Sequence, residues 1–243
     1  MPPPNLRRRH TLADAAIALL AEEGAHGLTH RAVEARAGVP AGTATNYARN
    51  REALLVAAAE RVLELHLADM ATATAPADET HPATRRTTDT HDLAEILAAS
   101  LWTAATDLRD RYLAIFELQL EARRRPALAA VLARLNTTAL TATTELHNET
   151  GTPVPETAIP VLVTLYSGTL FTLVTLPADL LDREQVHALA QAMARGALTG
   201  SETQTPPAET EPGHLTAGER TGRKADAAPP PGNPPQNRPP RTP

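Results

Sequence analysis

The chain has 243 residues with 23 basic and 28 acidic side chains, which gives a formal net charge of −5 at pH 7. Cysteine is absent, so a disulfide framework and a thiolate metal site are both excluded. An acidic protein is not a general nucleic-acid binder, so any DNA-binding surface must be positive locally. We find neither a signal peptide nor an uninterrupted apolar run near the roughly 20 residues of a membrane span. We therefore expect a cytoplasmic protein without membrane association.

The first helix is indicated by apolar residues three and four apart between Leu12 and Leu20. Gly24 is expected to end this helix. Upstream of it, Arg7–Arg9 read as a basic arm, which could reach a DNA backbone or minor groove and could equally be solvated.

Residues 29–51, THRAVEARAGVPAGTATNYARNR, predict two short helices joined by a tight turn. Thr29 suits the N-cap of the first helix. Gly38 suits its end, because glycine adopts the left-handed conformation without a side-chain clash. Pro40 can open the second helix, which we expect to run to Tyr47. A helix this short buries little, and a helix-turn-helix places its second helix in the DNA major groove.

The remainder of the chain predicts more helices and no strand alternation. A fourth helix begins near Arg51, and five more are indicated by apolar spacing between residues 93 and 197, so the fold class is all-α. Residues 71–90 read as a flexible loop, and residues 200–243 are too polar and proline-rich to form a packed structure. The expected division is a helix-turn-helix domain at 1–50, a connecting helix at 51–70, the loop at 71–90, a helical domain at 91–199 and the tail at 200–243.

The helix-turn-helix, with residues 12–24 upstream and 51–55 downstream, resembles the TetR family of bacterial repressors over residues 7–65. The resemblance implies a three-helix DNA-binding head and a C-terminal helical domain for ligand binding and dimerisation. Thr45 departs from the family, which usually has an aromatic residue there. Ala48 also departs from it, because Phe is usual at that position and its loss removes a hydrophobic plug.

The resemblance assigns DNA contacts to the head. Arg31 matches a position that reaches a base edge, where guanine accepts a bidentate arginine, but it could equally lie on phosphate or in solvent. Thr45 and Asn46 are the polar candidates for base contacts, and Ala41 is suited to a thymine methyl. Tyr47 could instead pack against helix one. Residues matching phosphate-gripping positions are Thr29, Thr43, Tyr47 and Arg51.

Five of the six aromatic residues lie in the predicted fifth, sixth and eighth helices. Ordinary core filling is one explanation. The resemblance implies another, a largely apolar pocket for a small effector, with Gln119 among its polar groups. In that arrangement, helix four would be the only part of the head that leans on the body. The candidate ligand residues are Trp102, Tyr112, Phe116, Gln119, Tyr166 and Phe171.

No motif indicates an enzyme, a cofactor or a metal site. His26 and His30 are four residues apart, but Gly27 and Thr29 make a shared helix face improbable. The carboxylates of Glu117 and Glu121 are better explained as a salt-bridged surface than as an acid–base pair.

The predicted function is that of a homodimeric repressor that binds a palindromic double-stranded DNA operator and is released from it by a small, largely apolar effector. The alternative is a helical ligand-carrier or protein-interaction module with a degenerate DNA-binding head.

Overall fold

The computed structural model describes residues 5–73, 90–150 and 154–199, and these ranges are helical with short turns and no strands. We call α1–α4 the head and α5–α9 the body. Two 3-10 turns, Glu156–Ala158 and Ala178–Leu180, flank α8. The helices are α1 (Leu6–Gly27), α2 (His30–Ala37), α3 (Thr43–Tyr47), α4 (Arg51–Ala73), α5 (Thr90–Ala105), α6 (Arg109–Ala122), α7 (Pro126–Thr150), α8 (Ile159–Thr175) and α9 (Arg183–Thr199).

Helix α1 begins earlier than the sequence indicated. The side-chain oxygen of Asn5 accepts a hydrogen bond from the backbone N–H of Arg8 at 3.3 Å, which caps the helix. Arg7–Arg9 therefore lie in the first turns of α1 and not in a separate arm. The regular helix breaks at Gly24, where φ is 67°, and one more turn carries it to Gly27.

The helix-turn-helix forms with the expected caps but a shorter second helix. Thr29 caps α2 by accepting the N–H of Ala32 at 3.1 Å, and Gly38 ends it at a φ of 63°. Helix α3 begins at Thr43 and not at Pro40. The reason is Gly42, whose φ of 85° is incompatible with a right-handed helix.

The hydrophobic core of the head extends into two helices of the body. Leu20 and Leu55 share one buried cluster with Leu118 of α6 and Leu128 of α7. Helix α6 packs mainly against α1 and less against α4. The expectation that helix four alone leans on the body is therefore wrong. Nearly every side chain of α1 between Leu12 and Leu20 is buried, so this part of the helix needs more than one covering element.

A second buried cluster is built by α5, α8 and α9. Helix α8 is apolar on nearly all sides, yet Val161, Leu165 and Phe171 remain 59%, 44% and 47% exposed. By length and composition alone, residues 156–175 could cross a membrane, and only 28% of that stretch is buried. The stretch is not an uninterrupted apolar run, because Thr, Ser and Gly residues lie within it.

The predicted boundaries are tested only in part. Helix α4 continues to Ala73 and α5 begins at Thr90, so the helices extend into the two ends of the expected loop. The remainder of that loop, Gly151 as the expected end of α7, and the predicted unstructured tail lie outside the described residues.

Candidate DNA interface and effector site

The outward side of α3 carries small and polar side chains. Thr45, Asn46 and Tyr47 are exposed, whereas Ala44 is completely buried against the head. Hydroxyl and carboxamide groups are able to hydrogen-bond to base edges. The five-residue helix therefore presents its hydrogen-bonding groups outward and is anchored through a single alanine.

The other predicted DNA contacts on threonine and alanine differ in whether the side chain is available to DNA. The hydroxyl of Thr43 donates to the carbonyl oxygen of Pro40 at 2.6 Å, so its proton is not available for a phosphate. The hydroxyl of Thr29 accepts from Ala32, and its own proton remains free to donate. Ala41 is exposed, but it lies in the turn before α3 and not on the helix.

The arginines near the helix-turn-helix fall into two groups. Arg31 and Arg49 are exposed and form no hydrogen bond or ion pair within the described part of the chain. Arg51 instead points into the protein, where it donates to the carbonyl oxygens of Leu28, at 3.3 Å, and Ala25. These bonds commit its guanidinium to the end of α1, so we do not retain Arg51 among the phosphate contacts.

Other arginines of the head are neutralised by carboxylates on neighbouring helices. The unpaired cations within the described head are thereby concentrated at the start of α1 and around the helix-turn-helix, which gives a locally positive surface on an acidic protein. The neutralised pairs are Arg9–Glu60, Arg36–Glu22 and Arg61–Asp14.

Two side chains of α2 bond to the two ends of α3. Glu34 is 7% exposed, and its Oε1 accepts the backbone N–H of Ala44 at 2.8 Å. One turn earlier, Nε2 of His30 lies 2.7 Å from the carbonyl oxygen of Ala48 and donates to it. Neither contact was predicted from the sequence. Their four-residue spacing was a usable signal, because it places them on one face of α2.

An open apolar groove lies beside α3 in the head. Its volume is about 580 Å³, and its wall includes Leu12 and Ala16 of α1 together with Ala44, Tyr47 and Ala48. Ala48 itself is buried. The groove occupies the region next to the position where a Phe is usual in the family, and Tyr47 lies along it while remaining 36% exposed.

Aromatic side chains gather around one side of the body cluster. The rings of Phe116 and Phe171 meet edge to face, with centroids 5.0 Å apart at 87°. Trp102, Tyr112 and Tyr166 pack against the same buried cluster as Phe116. Five of the six predicted ligand residues are thus brought to the body cluster.

The polar groups of this aromatic set are neutral or cationic. Burial raises the pKa of Tyr112 and that of Tyr166, so both phenols keep their protons. The hydroxyl of Tyr166 lies 2.8 Å from that of Ser100. The guanidinium of Arg183 stacks 4.2 Å above the ring of Trp102 as a cation–π contact. The sixth predicted ligand residue, Gln119, is exposed on α6.

Two carboxylates of α6 connect the body to the head. Oε2 of Glu117 accepts the backbone N–H of Ala25 at 3.0 Å, directly after the break in α1. Glu121 pairs with Arg125 and lies 3.9 Å from Arg51, with only 14% of its side chain exposed. The predicted salt bridge is present for Glu121, which pairs with Arg125. Glu117 instead bonds to a backbone N–H, at a junction between helices.

Within the described residues, no group of three or more His, Asp or Glu side chains is arranged to hold a metal ion. The two nearby histidines weighed above have different surroundings. His26 is exposed, whereas His30 bonds to the end of α3.

Comparison with protein families gives two matches that together cover the head and the body. Residues 12–58 match the model for bacterial regulatory proteins of the tetR family. Residues 88–200 match a tetracyclin repressor-like C-terminal domain. No curated protein matches this chain.

Solved structures share the fold. A transcriptional regulator from Rhodococcus sp. Rha1 is 21% identical, with a TM-score of 0.62, and the match covers 79% of this chain and 96% of that one. A TetR family member from Streptomyces coelicolor A3 is 28% identical, with a TM-score of 0.53 and coverage of 76% and 97%. The multidrug binding protein EbrR complexed with ethidium is 29% identical, with a TM-score of 0.51 and coverage of 76% and 98%.

Proposed function

The chain belongs to the TetR family of transcriptional regulators, and on that premise we propose that it is a cytoplasmic, homodimeric repressor released from its operator by a small aromatic effector. The observation that carries the proposal is the surface around α3. Thr45 and Asn46 are exposed there, and the exposed Arg31 and Arg49 have no partner within the described residues. Such a surface combines groups for base contacts with cations for phosphates.

We assign base recognition to residues of α3 and phosphate contact to residues on either side of it in the sequence. Asn46 offers the carboxamide that pairs with adenine, and Thr45 offers a hydroxyl. The free proton of the Thr29 hydroxyl and the guanidinium of Arg49 are available to phosphate oxygens. Arg31 is available to either a base or a phosphate.

The decisive experiment is a mobility-shift assay with the DNA that flanks the gene for this protein. Specific binding is expected, and log K should fall with log salt by roughly 0.9 for each phosphate neutralised. Asn46→Ala should change the sequence preference, whereas Arg49→Ala should weaken binding to all sequences about equally. Absence of binding to any of this DNA would favour the alternative of a ligand carrier with a degenerate head.

The apolar face of α8 supports the proposed dimer. Val161 and Leu165, one helical turn apart on α8, expose a strip of apolar surface that one chain does not cover. Gly168 has open space around the position of a Cβ, which permits close approach of a second helix. A two-fold interface of α8 and α9 would bury this strip and space two heads about 34 Å apart, so the operator should be palindromic.

Sedimentation of the full chain tests the dimer. The wild-type protein should sediment as a dimer at micromolar concentration, and Leu165→Asp should convert it to a monomer. The control is Leu180→Asp, which places the same charge at a leucine that is 59% exposed in the 3-10 turn after α8. A monomeric wild-type protein, or equal effects of the two substitutions, would contradict the proposed interface.

The aromatic set of the body supports the proposed effector class. EbrR, whose structure contains ethidium, is 29% identical to this chain. Stacked and edge-on rings such as Phe116 and Phe171 favour a flat aromatic molecule. We place the ligand among α5, α6 and α8, where Trp102 and Phe116 pack on the same cluster.

The junction between α6 and the head supports a route for release. Glu117 holds the N–H of Ala25, and that residue lies four positions before the Thr29 cap of α2. A ligand that shifts α6 would pull on the end of α1 and change the separation of the two heads. A tenfold loss of DNA affinity needs only about 1.4 kcal/mol of coupling, and DNA must weaken ligand binding by the same factor.

Ethidium is a suitable first probe, and the only tryptophan of the chain reports its binding. Binding should quench the emission of Trp102 and release DNA, and Phe116→Ala should weaken both effects. Leu120→Ala, at an exposed residue of the same helix, is the matched control. Suppose that a compound releases DNA without changing Trp102 emission, and that Phe116→Ala does not weaken its binding. The ligand site would then lie elsewhere.

A further inference from the structure

Helix α3 has few means of holding itself together. It contains five residues, and its N-cap Gly42 supplies no side-chain hydrogen bond. Isolated helices of this length are unstable in water because nucleation costs more than one or two internal hydrogen bonds recover. A single residue, Ala44, is buried, so apolar packing cannot fix how the helix is rotated about its axis.

The contacts from α2 compensate for this weakness at both ends of α3. The buried Glu34 accepts the Ala44 N–H at 2.8 Å, in the first turn. His30 donates to the Ala48 carbonyl at 2.7 Å, after the last turn. The carboxylate thus lies at the positive end of the helix and the imidazole N–H at the negative end, which is the favourable arrangement at each terminus.

These two bonds also restrict rotation of the short helix. They fix the direction of one N–H at its start and one C=O at its end, and directional hydrogen bonds lose strength when misaligned. Helix α2 is itself fixed, because Val33 is completely buried in the head core and Thr29 caps its start. Helix α2 therefore sets the orientation of α3 through these two hydrogen bonds.

We propose that His30 and Glu34 form a clamp that positions α3 for sequence reading, so that they determine operator specificity without touching a base. The proposal rests on the proposed DNA-binding function. Phosphate contacts from residues outside α3, such as Arg49, do not depend on the clamp, so non-specific binding should survive its loss. Preorganisation of this kind removes an ordering cost that would otherwise reduce specific affinity.

The first test is the DNA affinity of Glu34→Ala, Glu34→Gln and His30→Ala for the operator and for a scrambled duplex of equal length. Loss of a cap of this kind corresponds to about a tenfold change, so Glu34→Ala should weaken operator binding by about tenfold. Scrambled DNA should be bound nearly as before. Glu34→Gln keeps an acceptor oxygen at the same place and should recover most of the loss.

The matched control is Glu22→Ala. It removes a carboxylate that pairs with Arg36, which lies on the same helix α2 and does not contact α3. The operator-to-scrambled ratio should stay at the wild-type value. If Glu22→Ala lowers the ratio as much as Glu34→Ala, general damage to α2 explains the result and the clamp is refuted.

Hydrogen exchange in the DNA-free protein provides a second test that does not depend on any operator. Exchange of the backbone amides of residues 43–48 should be faster in Glu34→Ala and His30→Ala and unchanged in Glu22→Ala. Exchange in α5 and α9 serves as the internal check that each variant is folded. Unchanged protection of residues 43–48 in both clamp variants would overturn the proposal.

The two proposals fail in different ways. A wild-type protein that does not distinguish the operator from scrambled DNA would refute the repressor function, while exchange would still show whether the clamp holds α3. A wild-type protein that distinguishes them, with variants that keep the full ratio, would refute the clamp alone.

Discussion

The head and the body differ in the contacts that fix their functional surfaces. In the head, short elements are fixed by directional hydrogen bonds, from Glu34 to α3 and from Arg51 and Glu117 to the end of α1. In the body, the candidate ligand site is formed by aromatic rings such as Phe116 and Phe171, whose contacts are apolar. Directional bonds hold a single geometry, whereas apolar contacts can be exchanged for contacts with a ligand. This difference fits the proposed function, in which the head reads one DNA sequence and the body takes up a small molecule.

The largest expected effect comes from α6, one of the two body helices that contribute to the core of the head. Leu118 of α6 is completely buried in the same cluster as Leu20 and Leu55. Leu118→Ala should lower the free energy of unfolding by about 2–5 kcal/mol, because it removes buried methyl groups and leaves a cavity. Urea unfolding followed by circular dichroism and by Trp102 fluorescence measures this loss in both parts.

Leu120→Ala is the matched control for Leu118→Ala. It makes the same chemical change two residues away, at a side chain that is 59% exposed, and the free energy of unfolding should hardly change. Equal losses in the two variants would mean that α6 is not part of the core of the head.

A smaller effect distinguishes two arginines that are close in sequence. Arg51→Ala removes donors to the carbonyl oxygens of Ala25 and Leu28, so it should destabilise the protein by about 1–3 kcal/mol. Arg49→Ala removes an exposed side chain and should leave the melting temperature unchanged. The slope of log K against log salt for DNA binding should decrease for Arg49→Ala and stay the same for Arg51→Ala. A reduced salt slope for Arg51→Ala would restore it as a phosphate contact.

The smallest effect concerns pH at the contact between α4 and α6. Burial lowers the pKa of His66, and the nearby Arg111 lowers it further, while Asp69 opposes both. The unfolded chain therefore takes up a proton on this imidazole before the folded chain does, as pH falls through the ordinary value of about 6.5. Folding stability should decrease on acidification through this range, and the decrease should level off below the lowered pKa of the folded state.

His66→Gln should reduce the pH dependence of the melting temperature between neutral and mildly acidic pH, because the amide does not titrate. The measurement is a series of thermal unfolding curves for the two proteins in matched buffers. An identical pH dependence in both would show that the histidine has the same proton affinity in the folded and unfolded chains.

Much of the fold could be predicted because its signals are local. The caps at Thr29 and Gly38 and the break at Gly24 were expected from the sequence and are present. Asp182 likewise caps α9 by accepting the N–H groups of Glu184 and Gln185 at 3.2 and 3.1 Å. Each of these features depends on residues within a few positions of one another. The resemblance to the TetR family likewise rests on a contiguous stretch of the head.

What only the tertiary structure decided is how residues far apart in sequence are paired. Arg51 was expected to contact phosphate because it matches a phosphate-gripping position of the family, but it bonds to carbonyls 23 and 26 positions earlier. Glu117 looked like part of a surface ion pair, but it bonds to an N–H 92 positions away. No role was predicted for Glu34, because a carboxylate on a short helix is usually exposed. Only the packing of α3 against α2 buries it. Apolar spacing and capping motifs specify each helix by itself, whereas these polar contacts exist only after the helices have packed and brought donor and acceptor together.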